Sequence, residues 1–99
     1  SDTAQESFTL FRAGKTSSEI AASRGLAVGT IEGHLSFYVY KGDLDVAEIV
    51  RPEKMPTIKD SVLSYGAERL APIKEVLGED YSYGEIKAVV AWMRKNGEI

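Results

Sequence analysis

The sequence predicts an all-α protein, and three observations carry that prediction. Apolar residues recur at i, i+3 and i+4 along most of the chain, as in Ile31/Leu35 and Ile86/Val89/Val90/Met93. Capping-box pairs precede three of these runs: Thr16 with Glu19, Asp45 with Glu48 and Ser82 with Glu85. No stretch alternates apolar and polar residues as a half-buried strand requires. The expected architecture is one domain over residues 1–99, with a three-helix unit over 1–42 and three or four further short helices over 43–99.

Residues 3–13, TAQESFTLFRA, form the first helix, with Phe8 and Phe11, and Ser7 with Leu10 and Phe11, on one face. Gly14 ends it and Lys15 occupies the turn. The next stretch, TSSEIAASRGLAVGTIEGHLSF, reads as two short helices joined by a tight turn. Thr16 caps the first of them, Ile20, Ala21 and Leu26 are spaced to pack inward, and Gly25 sits where the chain must turn. Ile31 and Leu35 then share one face of a helix running from about Val28 to Tyr40, with Gly42 as its stop. Two helices joined by a turn containing Gly are the helix-turn-helix pattern, and the leading helix is what such a pair needs to close its core.

A β wing after this unit would need a hairpin, and GDLDV does not supply two alternating strands. The run DVAEIV reads instead as a short helix that ends at Pro52. After the loop RPEKMP, Ile58, Val62 and Leu63 place a helix over 57–65, broken by Gly66. Leu70, Ile73 and Leu77 place another before Gly78, with Pro72 either near its start or at a kink within it. The last helix begins after Ser82. Its stripe of Ile86, Val89, Val90 and Met93 faces inward, and Arg94 and Lys95 suit the C-terminal end of the helix dipole.

Composition sets limits on function. An apolar fraction of 43% and a charged fraction of 27% suit an ordinary globular domain. No apolar run approaches the ~18 residues of a membrane span, and SDTAQESFTLF is not a signal peptide. The absence of cysteine excludes disulfides and thiolate zinc sites, and fits a reducing compartment such as the cytoplasm. The net charge of −3 and pI near 5.1 disfavour a stand-alone nucleic-acid binder. Residues 1–42 are neutral, with Arg12, Lys15, Arg24 and Lys41 against Asp2, Glu6, Glu19 and Glu32, so the whole deficit lies in residues 43–99. Any DNA affinity must therefore come from local placement of a few cations.

No active site is evident. One histidine and no cysteine cannot make a ligand cluster or a nucleophilic dyad, and GLAVG lacks the GK[ST] ending of a phosphate loop. The neighbouring carboxylates Asp43/Asp45 and Glu79/Asp80 read as caps or solvated turns. His34 reads as a side chain packing on a neighbouring helix or bonding a turn carbonyl, with a phosphate- or partner-facing role as the alternative. Tyr81, Tyr83 and Trp92 could stack on bases, but the simpler reading makes Tyr83 and Trp92 anchors of the last helix, and Tyr38 and Tyr40 are similar.

The DNA-binding candidates are Lys15, Thr16, Arg24, Gly29, Thr30, Glu32, Gly33, His34 and Lys41. With Ile31 and Leu35 inward, helical spacing sends Gly29, Thr30, Glu32, Gly33 and Ser36 toward the opposite or flanking faces. A reader of base edges would offer Arg, Lys, Asn or Gln there. This surface offers two glycines, a threonine, a serine and an acid, so the expected contact is to phosphates, through Lys15, Thr16, Arg24, Thr30 and Lys41. A smooth surface of this kind could equally receive a protein partner.

The runs FRAGKTSSEIAASRGLAVGTIEGHL, GDLDV and LAPIKEVLGEDYSYGEIKAV resemble the helix-turn-helix module at the extreme C-terminus of bacterial RecQ-type DNA helicases. The resemblance covers essentially the whole chain, and SYGEIK is its most specific part. It implies a non-catalytic accessory domain of an ATP-dependent 3′–5′ helicase of DNA repair and recombination. ATP and a divalent cation would then belong to motor domains upstream, with no cofactor in this domain, and the partners would be DNA and the rest of the helicase. EIAASRGLAVGTIEGHL also resembles the DNA-binding domain of LuxR-type transcription regulators. In that family the position of Glu32 is commonly basic, and this chain departs from it there.

Overall fold

A computed structural model describes residues 2–99. It contains six α-helices: α1 (Asp2–Arg12), α2 (Ser17–Arg24), α3 (Val28–Lys41), α4 (Met55–Tyr65), α5 (Ala71–Leu77) and α6 (Tyr83–Lys95). Two 3₁₀ turns, Val46–Glu48 and Pro52–Lys54, join α3 to α4, and no strand occurs among the described residues. The all-α architecture without a β wing is thus as expected.

All three capping boxes form. Thr16 Oγ1 accepts from the Glu19 N–H at 3.1 Å while Glu19 Oε1 accepts from the Thr16 N–H at 2.9 Å. Gly25 closes α2 at φ 65° and Gly42 closes α3 at φ 88°, a left-handed conformation that a Cβ would strain.

The structure corrects the sequence reading at three places and decides it at a fourth. The expected helix DVAEIV is only a 3₁₀ turn, although its capping box is made. Pro52 disfavours helical geometry at Arg51, which leaves too few residues to repay helix nucleation. Pro56 does not end a loop but occupies the first turn of α4, so that helix starts at Met55, two residues before Thr57. Of the two positions open to Pro72, the structure takes the start: it sits in the first turn of α5, not at a kink. In both cases the missing N–H has no intrahelical partner to lose. Leu26, expected inward, is 37% exposed, because it lies just beyond the Gly25 cap on the turn itself.

Helix α3 is the centre of the molecule. It packs against α1 and α2 on one side and, most extensively, against α6 on the other. Ile31, Leu35 and Val39 of α3 join Ile86, Ala88, Val89 and Met93 of α6 in the buried core. Ala4, Ile20 and Ala21 close it from α1 and α2, and Leu44, Val46 and Val50 from the connection. Ile58, Val62 and Ile73 bring α4 and α5 to the same core. Ile31 is fully buried at this junction, so Ile31→Ala should lower unfolding free energy in urea by about 2–5 kcal/mol. Leu63→Ala, at a residue 59% exposed, should change it by less than about 0.5 kcal/mol.

Candidate nucleic-acid interface

Because α3 is covered on two sides, one arc of it remains open. Gly29, Thr30, Gly33, Phe37, Tyr40 and Lys41 are all exposed, and their spacing puts them on one contiguous face. The structure places Thr30, Gly33 and Lys41 of the candidates on this face, together with Gly29 at its edge. Phe37 and Tyr40 belong to it as well and were not among the residues expected there. Extending the Thr30–Gly33 row by two further turns finds them.

The remaining α3 candidates face neighbouring helices. Glu32 Oε1 lies 3.3 Å from Lys87 Nζ of α6, and the same ammonium is 3.3 Å from the Gly29 carbonyl. Gly84 allows this approach, since a Cβ there would stand 2.6 Å from a Glu32 carboxylate oxygen. Ser36, also expected on an open or flanking face, is tucked toward α6, and its hydroxyl is buried without a protein partner. Lys87 and Gly84 carry no local signal that would tie them to Glu32, being more than fifty residues away in the chain.

Arg24 and His34 turn toward α1. The Arg24 guanidinium donates to the Thr3 carbonyl at 2.7 Å, Thr3 Oγ1 at 2.9 Å and Ser7 Oγ at 2.6 Å, and pairs with Glu6 at 2.8 Å. Ser7 is fully buried, and its Oγ lies 2.8 Å from His34 Nδ1. Arginine can only donate, so the Ser7 hydroxyl accepts from it and gives its own proton to Nδ1, which leaves the ring proton of His34 on Nε2. One guanidinium thus ties α2 to α1, and one serine ties both to α3. The phosphate role expected for Arg24 has no free guanidinium to carry it in this arrangement.

Lys15 is exposed on the α1–α2 turn, with no ion pair among the described residues. Thr16 spends its hydroxyl on the cap, which also holds the Glu19 carboxyl below the usual carboxylate range through the Thr16 N–H. Among the described residues nothing accepts from the Ser17 and Ser18 N–H groups of the first α2 turn, which leaves them open to an anion. Lys41 Nζ lies 5.4 Å from the Phe37 ring centroid, 5.6 Å from that of Tyr38 and 3.8 Å from Asp43. Trp92 and Tyr81 are half-buried and roofed by Lys59 and Lys54, so they serve as anchors, while Tyr83 is exposed. Among the described residues no three His, Cys, Asp or Glu side chains are grouped to hold a metal ion, and no helix is long and apolar enough to cross a membrane.

Two short helices at a Gly turn, braced by a third and leaving one face of the second open, define a helix-turn-helix domain, a class of unit that binds DNA. The chain belongs to the helix-turn-helix domain family, whose pattern matches residues 3–90. Comparison with curated proteins and with solved structures returned no significant match.

The Arg24–Ser7–His34 network has a pH signature. Desolvation, and then the nearby Arg24 charge, lower the His34 pKa below its ordinary value of 6.5. Neutral His34 is therefore favoured by the fold, and its contribution to stability is complete above pH 6.5. As pH falls below 6.5 the unfolded chain takes up the proton first, and that contribution is lost as pH passes through the lower folded value. Denaturant midpoints should fall across this window, and His34→Asn, which keeps an acceptor for Ser7, should flatten the fall.

Proposed function

We propose that this chain is a non-catalytic accessory module that holds DNA by its phosphates rather than by reading bases. The observation that carries this reading is the composition of the open α3 arc. It has no Arg, Asn or Gln to bond a base edge in the major groove, and its one cation, Lys41, lies at its C-terminal end. Lys15 with the free N–H groups of α2, and Lys41 at the end of the arc, are positioned for phosphates instead.

The resemblance to the C-terminal module of RecQ-type helicases supports a finer proposal. In it, the module is appended to an ATP-dependent helicase of DNA repair and recombination, in the bacterial cytoplasm at the nucleoid. The motor, its ATP and its divalent cation lie upstream, and the rest of the helicase is the module's second partner. A protein-docking module is the second reading, favoured by the exposed apolar side chains of Leu26, Val28, Phe37 and Tyr40. A LuxR-like regulator would need paired half-sites and a dedicated dimer contact, and the inward Glu32 gives that reading little support.

With Arg24 committed internally, two cations remain for phosphate contact. The salt slope of log K should be near −0.9 × 2, roughly −2, with affinity on the order of 10⁻⁴ to 10⁻⁶ M. Fluorescence anisotropy of a labelled duplex across a salt series measures both. A flat slope, or no binding at low salt, would overturn phosphate contact.

Gly33 supplies a gain-of-function test. A Cβ at Gly33 meets nothing within 4 Å, so Gly33→Lys adds a cation to the arc while improving helix propensity by roughly 0.7–1 kcal/mol. It should steepen the slope by about one. Glu32→Lys should instead destabilise the fold, since it sets a second ammonium against Lys87.

A further inference from the structure

We propose that the open arc of α3 binds unpaired nucleic-acid bases by stacking, which makes single-stranded DNA, rather than duplex, the preferred ligand. This rests on the DNA-engaging reading above and names the ligand of that same face. Phe37 is 44% exposed and Tyr40 54% exposed, and the i, i+3 spacing turns both rings to the same side of the helix. Phe37 is set in place from below, because its ring meets the buried Tyr38 edge-on at 5.4 Å and 77°. Tyr38 is in turn stacked on Phe8 at 4.2 Å and 9°, with the Arg12 guanidinium 4.9 Å from the Phe8 ring centroid. The outward ring is therefore pre-organised by a column of rings that reaches into the core.

Lys41 stands beside Phe37, its ammonium 5.4 Å from that ring and 5.6 Å from the buried Tyr38 ring beneath it, within reach of a phosphate that follows a stacked base. Cations beside aromatic platforms are how proteins hold single strands without reading sequence. The other half of the arc, Gly29, Thr30 and Gly33, is nearly flat, which leaves room for a sugar–phosphate chain to run along the helix. A duplex hides its base faces in the stack, so these rings could reach them only at an end. Two nearby acids compete with a phosphate: Asp43 is 3.8 Å from Lys41, and Glu48 is 2.7 Å from Arg12.

The test is fluorescence anisotropy at low salt with labelled oligothymidylate and with a duplex of the same length. The single strand should bind at least about fivefold more tightly. Phe37→Leu and Tyr40→Leu, which keep apolar bulk but remove the π face, should each weaken single-strand binding about five- to hundredfold. Duplex affinity should change less than about twofold, and circular dichroism should show the helices intact. Asp43→Asn should tighten single-strand binding by freeing Lys41. Equal or tighter duplex binding, or leucine variants that bind the single strand like the parent, would overturn stacking and leave phosphate contact standing. Failure of both oligonucleotides to bind at low salt would overturn phosphate contact as well and point to protein docking.

Discussion

The packing of α6 across α3 is the constraint on which the remaining structure depends. It buries Ile31, Leu35 and Val39 against Ile86, Val89 and Met93, and so decides which residues of the second helix are left to solvent. Gly84 makes the approach possible by leaving room for the Glu32 carboxylate. Lys87 then neutralises that carboxylate at the edge of the contact. The acid that looks out of place on a DNA-facing helix is therefore part of a helix–helix junction. Its charge faces a lysine rather than a phosphate.

A second junction acts from the other side. Burying Ser7 between α1 and α3 is tolerable because Arg24 and His34 both satisfy its hydroxyl. The cost to the interface is one cation. An arginine in the last turn of α2 is well placed to touch DNA by chain position, but here it carries four contacts to α1. With the two junctions in place, what remains open is smooth at one end, aromatic at the other and sparsely charged.

Local chemistry made much of this legible from the chain alone. Capping boxes, Gly stops and 3.6-residue periodicity located the helices, since each depends on residues within a turn or two of one another. Pro56 was harder, because a proline reads as a break unless it is recognised in the first helical turn, and for Pro72 the spacing left a helix start and a kink both open. The site was less legible for a different reason. Helical spacing showed that Glu32 lies away from Ile31, but not that α6 would cover it, since Lys87 is fifty-five residues from Glu32. For the same reason Arg24 read as a free cation: its partners lie about twenty residues upstream, on a different helix.

The net charge of −3 and the small number of free cations argue against tight binding by this domain in isolation. They do not argue against use of a weak contact. If, as proposed, the module is tethered to a motor engaged on DNA, it sees that DNA at an effective concentration near the millimolar range for a short flexible linker. A dissociation constant between about 10⁻⁴ and 10⁻⁶ M is well below that concentration, so the tethered contact would be largely occupied while remaining quick to release. A base-reading helix would serve such a module poorly, because each specific contact would slow its travel along the strand. A flat, aromatic and nearly uncharged α3 arc is what a sequence-indifferent, readily released grip requires.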